Sequence, residues 1–487
     1  MSGTKTRHSI YSQVLHYTSL FGGVQGFVML LSFVRNKFAA VFLGSIGMGL
    51  IDVFNRSINL FVAFTSLVTP IAVTRNLSVV VETGSREQIE EEVRIIRSWT
   101  LLTAIMGLLI SLLFSPLTSW ATFGNYSHTG SFACIAILIP MSILSGTELS
   151  ILKATRELSK LAWTSFYGAL ILAVVSIPFY IVFGIRGIIP SLLISTFLSL
   201  LVQFRYTLPL FRWRSNPFCI AVLRKGKGLV KLSLSYILAN VVASGTEFLI
   251  RSYMMSEGNM NDVGLYSAGL VITVAASKFL FVAMDADYYP RLSKCCYSPL
   301  KMSLTVNRQL EVCVLLIAPF LVASAVFMPV IVRILFSEHF QAVAPMAILA
   351  TFYMFFKAIN TPIAYIPLAK GHGRVFLVME SIYYVVQLVL IVLSFSYGGV
   401  VYTGLALSCT NFIECVMLSW WYCRQYHFFF SRNAVSIIGV QGALVLVSVI
   451  VSIGMDALAR YSAGALLIVC SILYTLYVLS RRSRISL

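Results

Sequence analysis

Apolar runs of about 20 residues, each closed by a short polar or basic interval, recur along the whole chain. A helix rises about 1.5 Å per residue, so such a run crosses the roughly 30 Å hydrocarbon core of a bilayer. The runs predict helices at about 14–43, 48–74, 98–121, 131–152, 161–183, 187–206, 232–255, 263–288, 309–335, 342–368, 375–397, 400–423, 435–457 and 462–480. This is the pattern of an all-α polytopic membrane protein with about 14 transmembrane helices. The first run is long and has no small-residue cleavage site, so it reads as a spanning helix and not as a signal peptide. Ahead of the third run, ETGSREQIEEEVRIIRS carries acids and bases at i, i+4 spacing and predicts a short interfacial helix.

The stretch Phe33–Arg56, FVRNKFAAVFLGSIGMGLIDVFNR, has a weaker copy 216 residues on, counted from Arg35 to Arg251. The Gly49-Leu50 turn maps onto Gly264-Leu265, and Arg75-Asn-Leu-Ser maps onto Arg291-Leu-Ser-Lys. The loop KATRELSK (153–160) falls near AKGHGR (369–374) at the same shift. The expected organisation is two parallel six-helix repeats forming two lobes, plus a C-terminal helix pair. Six helices return the chain to its starting side, which makes the repeats parallel and puts a substrate site between them. Expected boundaries are an N-terminal lobe at 1–212, a basic linker at 213–231, a second lobe at 232–426, and the extra pair with a basic tail at 427–487.

Composition agrees with this reading. Of 487 residues 58% are apolar and 11% charged, with mean hydropathy +0.88, whereas a soluble domain carries about 25% charge. A net charge of +18 would point to nucleic acid in a soluble chain. Here cations mark cytoplasmic intervals, and nucleic acid is not an expected partner. With Lys5 and Arg7 placed in the cytoplasm, most Lys and Arg fall on that side, including the acid-free basic stretch Arg205–Lys231 and the tail Arg481-Arg482-Ser-Arg484. The opposite connections are short and carry few cations beyond Arg186 and Arg460, so both termini are expected in the cytoplasm. Nine cysteines are scattered without CxxC or nearby His, and even the vicinal Cys295-Cys296 gives no metal-ligand pattern.

No Walker sequence, HExxH, GxSxG or helix-opening GxGxxG occurs, and no interval between helices is long enough for a catalytic domain. A transporter without cofactor or metal is expected, not an enzyme. The remaining chemistry is charge within the membrane, where a cation costs about 2.5–3.5 kcal/mol on insertion scales and so faces a polar cavity or a partner. Arg35 and Lys37 lie about 10–14 Å from the end of the first helix, close enough for snorkelling as the alternative. Arg56 has Asp52 one turn away and Arg251 has Glu247 one turn away, so each has an internal ion pair as its alternative. Lys278 sits mid-helix with no acid nearby in sequence, and Lys357 is a further candidate. The acids Glu148, Glu247, Glu380 and Glu414 are candidates for ion coupling, with Asp285 and Asp287 near a cytoplasmic end. A cavity lined by Arg and Lys attracts an anion, and the forked Arg donors suit phosphate oxygens.

FGGVQGFVMLLSFVRNKFAAVFLGSIGMGLIDVFN, followed by VTRNLS, resembles the opening of bacterial O-antigen and polysaccharide flippases. DVGLYSAGL (262–270) and YYPRLSK (288–294) resemble the second-half counterparts. The resemblance touches both halves and places the chain in the polysaccharide branch of the multidrug/oligosaccharidyl-lipid/polysaccharide exporter superfamily. It implies a V-shaped pair of lobes around a cationic lumen that flips undecaprenyl-diphosphate-linked oligosaccharide, an O-antigen or capsule repeat unit, to the periplasmic leaflet by alternating access. Arg35, Arg56 and Arg251 are then the leading lumen candidates, followed by Lys278, Lys37 and Lys357. Implied partners are the lipid-linked oligosaccharide, membrane lipids, a proton or sodium gradient, and polysaccharide polymerase machinery in the bacterial inner membrane. The final helix pair resembles one implied to bind the lipid tail. A lipid II flippase, a cation-coupled multidrug exporter and, from another class, a membrane glycosyltransferase or polymerase stay open as alternatives.

Overall fold

The computed structural model describes the backbone of residues 3–483. It describes their side chains except at 3–23, 83, 158, 231–232, 235, 275–287, 289–290, 294 and 482–483. Lys278, Asp285 and Asp287 lie outside the described side chains, as do Lys5, Arg7 and Arg482; Arg484 lies outside the described residues. The described chain is almost entirely helical and has no strand. Among the described residues, eight helical stretches are long and apolar enough to cross a membrane. There are nine if Glu338–Leu349 and Thr351–Ala369, bent by 43°, count as one.

Two compact units divide the chain, Met1–Ser252 and Tyr253–Leu487. The first contains α1 (Gly3–Thr65), α2 (Pro70–Thr83), α3 (Arg86–Leu113), α4 (Ser115–Phe123), α5 (Thr129–Ala136), α6 (Leu138–Ala154), α7 (Leu158–Phe183), α8 (Ile188–Thr207) and α9 (Ile220–Lys225), with most of α10 (Lys227–Glu257). Within it α1 packs on α7, α7 on α8, and α6 on α2, α3 and α8. The second contains α11 (Met260–Cys295), α12 (Pro299–Leu335), α13 (Ala344–Leu349), α14 (Thr351–Ala369), α15 (Gly373–Tyr426), α16 (Arg432–Gly454) and α17 (Ala457–Ser483). There α12 packs against α14, α16 and α17, and α14 lies along α15.

The long stretches are broken where glycine permits it. Gly44 inside α1 has φ 66° and ψ −169°, and Gly399 inside α15 has φ 63° and ψ −155°. A side chain at either φ would be strained, so these two residues set the turns expected at SIGMG and YGGV.

Several expected elements differ in detail, and the helices expected at 131–152 and 342–368 are also broken, at Ile137 and Ala350. The charged interval at 82–98 is not a separate interfacial helix: α3 begins at Arg86 and runs without interruption to Leu113. Ser85 and Gln88 form a reciprocal capping box that starts it. The helix expected at 48–74 breaks at 66–69 and restarts at Pro70, with Thr69 as N-cap. The helix expected at 98–121 breaks at Phe114 because Pro116 has no N–H for the Leu112 carbonyl. The Ser115 hydroxyl donates to that carbonyl instead, at 2.8 Å.

The C-terminal pair is held by buried polar groups as well as apolar contact. Fully buried Gln441 on α16 donates to Thr475 Oγ1 of α17 at 3.0 Å, accepts from Ser471 Oγ at 2.7 Å, and Thr475 in turn donates to the Leu315 carbonyl of α12 at 3.1 Å. About two turns earlier on α12, Asn307 donates to the Phe429 carbonyl and accepts from the Ser431 amide, both at 2.8 Å. Polar bonds of this kind fix helix register where lipid offers no hydrophobic driving force.

Candidate functional site

Asp52 and Arg56 sit one turn apart in the second half of α1, and Glu247 and Arg251 one turn apart in α10. The fold brings the two pairs together. Arg56 Nε donates to Asp52 Oδ1 at 3.2 Å, and Arg251 Nε donates to Asp52 Oδ2 at 2.9 Å. Glu247 Oε2 accepts from Arg251 Nη1 and lies 3.5 Å from Arg56 Nη1. Each carboxylate thus faces both guanidinium groups, and the network is neutral as a whole. The side chains of Arg56, Glu247 and Asp52 are 31%, 20% and 17% exposed, whereas Arg251 is 1% exposed. Arg56 is the open side of the cluster and Arg251 its buried strut.

Arg35 and Lys37 are half-buried on the first half of α1. Arg35 donates to the neighbouring Asn36 amide oxygen at 3.0 Å and has no ion-pair partner among the described residues. Arg35 does not join the Asp52 network among the described residues.

Glu148 stands apart from both. Its two oxygens accept from Arg97 Nε and Nη2, each at 2.8 Å, and both residues are fully buried. Arg97 Nη1 also donates to the carbonyls of Phe211 and Arg212, and the Trp213 ring centroid lies 4.9 Å from its guanidinium carbon. This is a forked, fully bonded pair. Sequence reading missed Arg97 because it sits in a charge-rich interval where one more arginine draws no notice.

In the second unit Lys357, Glu380 and Glu414 gather from α14 and both halves of α15. The Lys357 ammonium lies over the Tyr353 ring at 5.5 Å from its centroid, and it interacts electrostatically with Glu414 and Glu380. Buried Asn360 donates to Glu414 Oε2 at 2.8 Å and to the Asn411 carbonyl at 2.9 Å. The side-chain amide oxygens of Asn360, Asn411 and Gln387 are buried without a donor among the described residues. These amides carried no signal in sequence, since their role depends on which helix face meets which.

The sequence model of one protein family, described as "Polysaccharide biosynthesis protein", matches residues 57–345, more than half of the chain. The chain belongs to that family. No curated protein matches the sequence. The fold is similar to those of solved MOP-superfamily transporters. It is similar to the lipid II flippase MurJ in an inward closed conformation, with TM-score 0.69, 15% identity, and 95% of this chain and 99% of that one covered. An inward-facing multidrug resistance MATE family transporter matches with TM-score 0.68 and 12% identity over 85% of this chain and 96% of that one. A MOP superfamily transporter from Pyrococcus furiosus, described as having a binding pocket of reverse polarity, matches with TM-score 0.54 and 14% identity over 87% and 94%.

Proposed function

We propose that the chain is a flippase for an undecaprenyl-diphosphate-linked oligosaccharide, an O-antigen or capsule repeat unit. It carries the glycan and diphosphate from the cytoplasmic to the periplasmic leaflet of the bacterial inner membrane by alternating access. On this reading the chain makes fourteen passes with both termini in the cytoplasm, and it is not an enzyme. The observation that supports it most is the half-exposed Arg56, set among Asp52, Glu247 and Arg251 inside the helices of a polysaccharide-biosynthesis chain. A diphosphate competes with the two carboxylates for Arg56, and forked donors favour its oxygens. Arg35, free of an acid partner among the described residues, is a second anchor. Lys37 and Lys278 complete the cationic path, and Arg251 positions Arg56. Glu380 and Glu414, gathered around Lys357, are the groups we assign to proton or sodium coupling. Glu148 is left out because Arg97 holds both of its oxygens.

The test is complementation of a bacterium deleted for its own polysaccharide flippase and supplied with matching glycan genes. Restored surface glycan, lost in Arg35→Ala and Arg56→Gln at equal protein level, is the expected result. Unchanged display in both variants removes the anchors. Transport of lipid II is the second reading, favoured by the MurJ match, which leaves fewer residues uncovered than the C-terminal pair contains. Growth rescue in a strain lacking its lipid II flippase, without glycan rescue, would select it.

A further inference from the structure

The first turns of α3 and the stretch 209–214 enclose a cavity of about 400 Å³. Four arginines line it, Arg86, Arg94, Arg212 and Arg214, against a single acid, Glu90. Arg86 pairs with Glu90 at 3.3 Å, which leaves three guanidinium charges without a carboxylate in the lining. Of the nearby acids outside the lining, Glu91 pairs with Lys225 and also feels Arg94, Glu92 accepts from Asn76, and Glu82 pairs with Arg156, while Glu87 lies on the first turn of α3. Arg94 is aimed by the Asn216 side-chain oxygen at 2.9 Å, a neutral partner that cancels no charge.

The cavity wall is built. Three consecutive residues of α3 grip the linker backbone: Arg97 holds the carbonyls of Phe211 and Arg212, Ser98 Oγ accepts the Asn216 amide at 2.9 Å, and Trp99 Nε1 donates to the Leu223 carbonyl at 3.1 Å. The linker is pressed so close that a Cβ at Gly226 would fall 2.2 Å from Trp99 Nε1.

Apolar side chains flank the arginines in the open. Leu208 and Trp213 are each 38% exposed, Phe218 77% and Ile220 81%. Alternating cations and exposed aromatic or aliphatic groups at the end of membrane helices suit the head-group boundary, with the apolar side chains reaching acyl chains. A free anion would use only the arginines, whereas a phosphate attached to hydrocarbon uses both sets.

We propose that this cavity binds the phosphate of a lipid head group in the leaflet that the charge bias assigns to the cytoplasm. The lipid is either an anionic phospholipid of the bilayer or a polyprenyl diphosphate. The site stands whatever the chain transports.

The test uses the purified full-length chain in phosphatidylcholine nanodiscs, titrated with acyl-brominated phosphatidylglycerol or acyl-brominated phosphatidylcholine. Tryptophan quenching is read against Trp213→Phe, which isolates the signal from the site. The expected result is that phosphatidylglycerol quenches Trp213 at lower concentration than phosphatidylcholine. Arg212→Gln/Arg214→Gln should weaken that preference about 30-fold, since each interfacial cation contributes about fivefold. Both side chains are exposed and the linker bonds use backbone atoms, so an unchanged Tm is expected; Arg214→Gln alone serves if the double variant is not recovered. Equal quenching by the two lipids, or a preference that survives the double substitution, overturns the proposal. Competition then names the source. Displacement by geranyl diphosphate assigns the site to the polyprenyl carrier, and resistance to it assigns the site to bilayer phospholipid. Displacement by inorganic phosphate at equal concentration overturns the lipid assignment.

Discussion

Two arginine–carboxylate groupings in the first unit use the same residue types to different ends. Arg97 and Glu148 are fully buried, meet fork to fork, and have their remaining donors taken by the carbonyls of Phe211 and Arg212. Asp52, Arg56, Glu247 and Arg251 share their charges among four side chains, and three of the four retain contact with solvent. The first is closed and pins the linker to α3. The second can exchange a partner, because a group at its open side can take Arg56 without stranding a charge in a dry interior. Burial, not residue type, separates the structural pair from the candidate binding site.

The contrast can be broken most forcefully at Arg97. Arg97→Ala leaves Glu148 buried and uncompensated and should cost about 3–5 kcal/mol. The expected result is loss of folded protein from membranes, read by detergent-extracted yield and thermal unfolding. Arg97→Met combined with Glu148→Leu should recover much of that loss, since removing both charges removes the unpaired one.

Arg251→Ala should have the next largest effect. It leaves Asp52 and Glu247 with Arg56 alone, and their partial solvation limits the loss to about 1–3 kcal/mol. Arg251→Lys should restore stability more than it restores transport, because an ammonium keeps the charge but not the fork. Tm and surface glycan measured on the same membranes separate the two effects.

Gln441→Leu tests the second unit at a similar or smaller scale. It strands the Ser471 hydroxyl and removes the donor to Thr475, at about 1–2 kcal/mol. Limited proteolysis should cut the α16–α17 connection faster in the variant while the rest of the unit stays resistant.

Arg56→Gln should change stability least, by about 1 kcal/mol or less, as expected of a partly exposed pair. Glycan display should fall nonetheless. A Tm loss as large as that of Arg97→Ala would end the distinction between a closed pair and an open one.

Much of the fold was legible in the sequence. The helix expected at 187–206 is found at Ile188–Thr207, and the one expected at 161–183 at Leu158–Phe183. Long apolar runs admit one backbone solution in lipid, so their positions follow from composition. The breaks at 66–69 and at Phe114 were not foreseen, although Pro70 and Pro116 mark both. In a membrane helix a proline is tolerated or not according to what satisfies the freed carbonyl, and Ser115 does this only in the folded geometry. At the candidate site the two i, i+4 pairs were legible as alternatives, but the bond from Arg251 to Asp52 spans 199 residues. Helix periodicity reaches one turn and gives no sign of a contact at that range.

The sequence by itself determined that the chain is an all-helical membrane protein and where its apolar runs lie. Those properties are sums over local residues against the solvent, and they need no knowledge of neighbours. Only the tertiary structure decided which charges are paired. It joined Arg97 to Glu148, set Asp52 between two arginines, gathered Lys357, Glu380 and Glu414, and laid the basic linker across α3. A charge inside a membrane is defined by what stands within a few ångströms of it, and that distance is set by helix packing.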